Sequence, residues 1–338
     1  MGFRVRGLQR DEVEGFLACF QAAFGVDDPS LSIIRNSLVN DPYFRPERVR
    51  VGVMDGQIIS HVVILHRPTW AGSQVIELAG ITAVATHPDY QGRGYGTRVL
   101  RDALKLVRRW KYDVALVTTR VPGFFARLGF LEVPAVIGHQ CPARGLERMR
   151  LSAEYQLAPL DYHQQWPTLA AIYREYSHQR TGMQYREDRF WETWPLRGTF
   201  PLGFSNEIGG MGLTAFLGGQ MVAYLAAQML PEIPHLSVTE FAHANDHPEA
   251  MLVLLQEAAR RFLQRGGRRV MLYTGGAAPV LKLLEDREVP VEGHVAQGLM
   301  IAVTNRKWVR ASGFGSVDEA IQNLFHSAIP VMWHRDGY

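Results

Sequence analysis

The spacing of apolar positions changes period several times along the first part of the chain. Phe16, Leu17, Phe20 and Phe24 recur at the interval of an amphipathic helix. Asp11 and Glu14 stand where an N-terminal cap belongs. A short strand over 3–8 precedes this helix, and a second helix is expected from about residue 30, with Leu31, Ile34 and Leu38 on one face. The period then shortens. VRVGVMDGQIISHVVIL alternates or runs β-branched on either side of Asp55-Gly56, the dipeptide of a tight hairpin. A strand over 76–85 leads into HPDYQGRGYG, followed by a helix over 97–110 and a strand over 114–118. A short helix in PGFFARLGF and strands near Val133 and Ile137 close the unit.

The second half repeats this order. LTAFLGGQMVAYLAAQ echoes the first hairpin, with Gly218-Gly219-Gln220 in place of Asp55-Gly56-Gln57. A helix over 249–264 and a strand over 270–273 mirror 97–110 and 114–118, and EVPVEGH echoes EVPAVIGH. The offset stays at roughly 155–165 residues, which is the scale of a duplicated domain and not of a short repeat. The expected division is 1–150, 151–306 and a tail over 307–338 with one helix over 317–325.

Composition narrows the class without naming it. The chain has 338 residues, 47% hydrophobic and 20% charged, and a formal charge of only +3. No block of like charges argues for nucleic acid. Cys19 and Cys141, the two cysteines, can make neither a metal cage nor a disulfide framework. No leader pattern and no apolar run long enough to span a bilayer is present, so a soluble, cytoplasmic protein without a membrane or nucleic-acid partner is expected. The sequence is silent on oligomeric state, and an oligomer is compatible with it.

The candidate chemistry lies in QGRGYGT, residues 91–97. Three glycines alternate between a strand and a helix start, where positive φ and close approach of a ligand to the main chain are both allowed. Amides converging on a helix N-terminus favour an anion such as a pyrophosphate. A dinucleotide fingerprint would need glycine at Thr97, and a P-loop would need Gly-Lys-Ser/Thr. The bland alternative is a glycine-rich turn.

The run AVATHPDYQGRGYGTRVL resembles the acetyl-CoA motif of the GNAT acetyltransferase superfamily through Gln91, Gly94 and Gly96, with Arg93 at a position where basic residues are common. PGFFARLGF resembles the helix that follows in that family, and the likeness extends from Phe3 to about Cys141. It implies an α/β (α+β) chain of two tandem GNAT-like domains, each a mixed, splayed sheet flanked by helices. The pantetheine arm of acetyl-CoA would pair with the strand edge at Val84, Ala85 and Thr86. The pyrophosphate would rest on the loop formed by Gln91, Gly92, Arg93, Gly94, Tyr95, Gly96 and Thr97, with no metal. An amine would attack the thioester directly, a step served by an oxyanion donor, a base and an acid. The tyrosine that often supplies that acid is Phe125 here. Glu77 is the candidate base, against a reading as a solvated strand-end residue. The ring of Tyr95 reads as packing, and His87 as a loop residue. The carboxylate of Tyr338 is a further candidate base or cation anchor, against a tail that covers an apolar groove.

At the matching place the second half reads EFAHANDHPEAMLVLL, with no glycine, so no phosphate nest is expected there. His243 and His247 could be half a metal site on a helix, but Asn245, Asp246 and Pro248 argue for a loop. Tyr173, Gly182, Arg186 and Trp191 follow an order similar to the central domain of the Eis (enhanced intracellular survival) acetyltransferases, whose third domain has no counterpart here. Mycothiol-synthase-like tandem enzymes usually keep a second glycine loop, which this chain lacks. The resemblance implies acetyl transfer to a primary amine of a small molecule. Phe24, Asp27 and Asp28 close the first helix where a cationic acceptor could sit. The competing function is a non-catalytic acyl-CoA-binding or regulatory module.

Overall fold

The computed structural model describes residues 2–133, 135–151, 154–178, 180–197, 209–229, 235–272, 278–296 and 298–326. The first part of the chain forms β1 (Arg4–Gly7), α1 (Val13–Phe24), α2 (Asp28–Val39), β2 (Val49–Met54), β3 (Gln57–His66), β4 (Thr69–Ala71), β5 (Gln74–Ile76) and β6 (Leu78–Thr86). It continues through α3 (Tyr95–Arg109), β7 (Val114–Thr118), α4 (Pro122–Ala126), β8 (Leu131–Glu132), β9 (Ala135–Pro142) and α5 (Ala143–Glu147). The second part forms β10 (Gln156–Pro159), α6 (Tyr162–Ser177), α7 (Asp188–Arg197), β11 (Gly210–Leu217), β12 (Gln220–Gln228), β13 (His235–His243), α8 (Pro248–Gln264) and β14 (Arg269–Leu272). Then come α9 (Ala278–Glu285), β15 (Glu292–Ala296), β16 (Leu299–Val303), α10 (Lys307–Ala311) and α11 (Val317–His326).

Local chemistry explains most of these elements. Asp55 and Gly56 take φ of 49° and 86°, and Gly218 and Gly219 take 58° and 82°, so both hairpins turn on paired left-handed residues. The entry to α1 differs from the expected Asp11–Glu14 cap. A single 3-10 turn, Arg10–Glu12, comes first, and Glu12 accepts from the Gln9 amide at 3.0 Å. Arg6 fixes Glu12 with bonds of 2.6 and 2.5 Å, which draws the cap away from Asp11. Among the described residues no helix is long and apolar enough to cross a membrane.

Two seven-stranded mixed sheets carry the molecule, in the orders β1-β2-β3-β6-β7-β16-β8 and β10-β11-β12-β13-β14-β9-β15. Each sheet is antiparallel except at one central pair, β6–β7 in the first and β13–β14 in the second. The halves exchange strands. β9, from the first half, lies between β14 and β15, and β16, from the second half, lies between β7 and β8. A division at residue 150 therefore cuts the chain without separating the sheets. A second joint runs antiparallel between 68–72 and 182–185, through Trp70 N to Met183 O at 2.8 Å, Gly182 N to Trp70 O at 2.8 Å and Tyr185 N to Pro68 O at 2.7 Å.

The first sheet is covered on both faces. α3 and α4 pack on Val62, Ile64, Ala79, Ile81, Ala115 and Val117. On the opposite face α1 and α2 cover β2 and β3, while Trp308, Val309, Ala320 and Ile321 of α10 and α11 cover Leu78, Val114, Leu116, Leu299 and Ile301. Leu65 touches both of these groups, so the described part of the tail borders the same face as α1.

The start of β16 is tightly specified. Gly298 has φ +73°, and a Cβ there would lie 1.8 Å from the Thr119 carbonyl oxygen. Because each sheet contains a strand from the other half, the chain should melt in one cooperative calorimetric transition. Gly298→Ala should shift that whole transition down, by roughly 2 kcal/mol or more in stability. Two resolved transitions, only one of which moved, would contradict the coupling.

Candidate functional site

β6 and β7 pair only from Leu78↔Val114 to Gly80↔Leu116. β6 runs on to Thr86, so beyond Gly80 no described strand pairs with the edge that turns away from β3. The sheet opens there into a V. A bulge lies just past the opening: β3 advances from His61 to Val63 while β6 advances from Ala85 to Thr82. Ala83, inside the bulge, has φ +48°. Side chains take carbonyls along this stretch. His61 Nδ1 lies 2.6 Å from Ala83 O, Ser60 Oγ donates to Ala85 O at 2.7 Å, and Gln91 Nε2 donates to Thr86 O at 3.0 Å. No described strand pairs with Val84, Ala85 or Thr86 on the side away from β3.

Residues 91–97 bring the helix start to the end of this strand. Gly92 and Gly94 adopt φ of +74° and +79°, and a Cβ at either would meet nothing within 4 Å. Gly96 differs: its Cβ would fall 2.9 Å from Thr86 Oγ1, so here glycine lets α3 approach β6. Gly94 caps α3 without a side-chain acceptor, and the first turn carries no acidic residue. The leading amides of α3 have no intrahelical carbonyl to serve them. Tyr95 packs its ring 4.5 Å from Phe3 and 6.4 Å from Tyr90, Arg93 lies over Tyr90 at 5.8 Å and Arg98 over Phe3 at 4.4 Å. Thr97 is half-buried in the first turn of α3.

The other expected residues are placed apart from this loop. Phe125 is 2% exposed and packs edge-on against Phe124 and Phe130, giving the α3 side of the V an apolar lining with no proton to donate. Glu77 lies before the paired segment, at the closed end of the V. Its amide donates to Asp113 Oδ2 at 2.9 Å, its carbonyl accepts from Asp113 N at 2.8 Å, and its carboxylate is 3.3 Å from His66 Nδ1. Burial, and then Asp113, raise the Glu77 carboxyl pKa. Burial with the nearby Arg48, Arg67, Arg189 and Arg45 lowers His66 to about 3, so this contact is not an imidazolium pair. The nine residues of β6 separate Glu77 from the loop, roughly 30 Å along an extended strand. Tyr338 lies outside the described residues. Asp28, at the start of α2, accepts from Gln21 Nε2 at 2.9 Å and lies on the α1 side of the sheet.

The matching strand of the second sheet is different. β13 pairs with β14 only as far as Val238↔Leu272 and continues to His243. Along that stretch Glu240 is bonded through its two oxygens to both terminal nitrogens of Arg186 at 2.7 Å. The Arg186 guanidinium lies 4.1 Å from the Tyr173 ring centre, 4.7 Å from Phe190 and 5.3 Å from Trp191, and Tyr224 donates to Glu240 at 2.9 Å. His243 ends a strand with Nδ1 2.8 Å from Ala244 O, and His247 caps α8, so the two do not share a helix face. Sequence reading singled out Tyr173, Arg186 and Trp191 but missed Glu240, and it missed His61. A signal for His61 existed: in the echoing hairpins GQIISHVV and GQMVAYLA it stands where Tyr224 stands.

Residues 4–133 match the family model described as an acetyltransferase (GNAT) domain. No curated protein matches the sequence. Similar solved structures include a GCN5-related N-acetyltransferase from Anabaena variabilis, 14% identical with a TM-score of 0.69 over 90% of this chain and 73% of that one. Eis1 from Mycobacterium abscessus is 18% identical, with a TM-score of 0.63 over 92% of this chain and 76% of that one. The N-myristoyltransferase of Saccharomyces cerevisiae, solved with myristoyl-CoA, is 8% identical with a TM-score of 0.55 over 90% and 79%. At these identities the likeness establishes the tandem fold.

The buried ion pair of the second sheet has a measurable signature. Arg186 and Glu240 side chains are only 6% and 7% exposed, so removing one charge strands the other. Arg186→Met should cost about 3–5 kcal/mol in denaturant unfolding, and adding Glu240→Leu should recover part of that loss. A double variant no more stable than the single would mean that the pair does not act as a unit.

Proposed function

We propose that this chain, whose residues 4–133 match an acetyltransferase (GNAT) domain, transfers an acetyl group from acetyl-CoA to a primary amine of a small molecule. The observation that carries this reading is the pairing of an open, bulged strand edge with a glycine nest on a helix N-terminus, present in the first sheet and absent from the second. The residues fit a CoA thioester. The amides of Gly92, Arg93, Gly94, Tyr95, Gly96 and Thr97 suit a pyrophosphate, and a Cβ-free surface at Gly92 and Gly94 leaves room for it. The edge at Val84, Ala85 and Thr86 can pair with an extended amide-bearing arm.

Acetyl-CoA supplies an activated acyl group, and the protein's part is to hold it and to exclude water. Phe124, Phe125 and Phe130 give the opening an apolar wall, which strengthens any hydrogen bond to charge developing inside it. The acceptor would approach on the opposite face, between α1–α2 and α10–α11, where Asp27 and Asp28 suit a cationic amine. With Phe125 in place of a hydroxyl, the departing thiolate takes its proton from water or from the acceptor. Direct attack without an acyl-enzyme agrees with the burial of Cys19 and Cys141, which pushes their thiols up to about 11 and about 12.

One observation favours a second reading. The absence of a proton donor at Phe125, with Glu77 held at the closed end of the V, would suit a module that binds acyl-CoA without transfer. Thiolate release from acetyl-CoA in the presence of a primary-amine panel separates the two: release above the amine-free rate supports transfer, and its absence supports the binding module.

Calorimetry with CoA should give one site per chain. Gly94→Asp places a carboxylate and a Cβ at the open face of the nest and should abolish binding with little change in melting temperature; two sites, or an unimpaired variant, would overturn the assignment. Phe125→Tyr should leave turnover within about tenfold, about 1.4 kcal/mol in barrier. A near-complete loss would instead mean that Phe125 packs against the bound arm too closely to admit a hydroxyl.

A further inference from the structure

His61 is the one polar side chain in its part of β3 with no counterpart in the transfer chemistry described above. It is fully buried, 4.5 Å from the Phe16 ring and stacked on Phe20 at 5.9 Å. Burial holds its pKa down at about 4, so the ring is neutral over the physiological range. Its single hydrogen bond is to the carbonyl of Ala83 at 2.6 Å, and Nε2 has no partner. A carbonyl only accepts, so Nδ1 carries the proton and the tautomer is fixed.

The residue it holds is the strained one. Ala83 has φ +48°, a region that an alanine reaches only at a cost, and neighbouring structure must supply the compensation. The bulge has a directional consequence. Backbone groups along a strand alternate between its two edges, so one extra residue reverses which amides beyond it face the open edge. Whether Val84 and Ala85 present N–H or C=O groups to the V therefore depends on the bulge staying where it is. In the second sheet the position matching His61 is Tyr224, which bonds Glu240 instead of the main chain, and that sheet has no acyl-CoA loop.

We propose that His61 is a positioning residue for acyl transfer: its bond to the Ala83 carbonyl fixes the bulge that aims the amides of the β6 edge at the thioester. This rests on the reading of residues 91–97 as the acyl-CoA loop. The amides so aimed act on the thioester carbonyl, which acetyl-CoA has and CoA lacks, so acetyl-CoA should lose more than CoA when the bond is removed.

The test uses the full chain with His61→Leu, His61→Asn and His61→Gln. An asparagine amide can donate from the position of Nδ1, whereas a glutamine amide reaches toward that of Nε2. The readouts are calorimetric affinities for CoA and for acetyl-CoA, and the infrared carbonyl stretch of acetyl-CoA labelled with carbon-13 at the thioester. In the unaltered protein the bound stretch should move to lower frequency than in solution. His61→Leu and His61→Gln should lose that shift and bind acetyl-CoA about tenfold more weakly relative to CoA. His61→Asn should restore both. If the leucine variant does not fold, the comparison of asparagine with glutamine carries the same decision. A shift that persists without His61, or asparagine and glutamine variants that behave alike, would overturn the positioning role. Failure of the unaltered protein to bind CoA would instead overturn the loop assignment on which it rests.

Discussion

Backbone amides inside a protein need acceptors, and β6 has an edge that the fold leaves without a strand beyond Gly80. Most of the first sheet can be understood as the consequence of that one opening. α3 and α4 line one side of it with apolar rings, and α1, α2, α10 and α11 frame the other. The carbonyls of Ala83, Ala85 and Thr86 are taken by His61, Ser60 and Gln91. The glycine loop then sits at the mouth of the opening because α3 must start where β6 ends.

The exchange of β9 and β16 gives this opening a rigid floor. β7 would be an edge strand without β16, and an edge beside a splay is a poor place to hold geometry. Because β16 comes from the far half of the chain, the second domain is structurally part of the first domain's site even though it carries no nest of its own. Thr119 and Gly298 tie the ends of β7 and β16 together, through Thr119 N to Gly298 O at 2.9 Å. The joint between 68–72 and 182–185 adds a second tie, and Gly182, with φ +89°, lets the chain make it.

What the sequence disclosed and what it withheld divide along the range of the interactions. Turns, strand β7, helix α3 and the nest depend on neighbours in the chain, and their residues spell them out: Asp55-Gly56, the apolar run after Asp113, and the alternating glycines at 92, 94 and 96. The strand exchange is invisible because EVPAVIGH and EVPVEGH carry nearly the same pattern, so either hairpin satisfies either sheet. The setting of Glu77 depended on how far β6 and β7 stay paired, which no local pattern encodes. His61 reads in sequence as one polar residue in an apolar strand. Only the long-range register, which sets it beside a bulge, gives it a task.

The two sheets answer the same physical problem in different ways. A splayed strand pair leaves a cavity that water would fill poorly, since its walls are apolar. In the second sheet Arg186 packs against β13 with its charge matched by Glu240 and its faces covered by Tyr173, Phe190 and Trp191. A guanidinium held this way depends on every partner remaining in place. In the first sheet, among the described residues, Ala83 stands where Glu240 stands, and the loop beyond offers amides instead of a cation. An amide nest attracts an anion but, unlike a side chain, cannot itself enter the cavity. Under the proposed function the first opening would take an extended ligand with a phosphate at one end, while the second half of the chain contributes β16 to the sheet beside it.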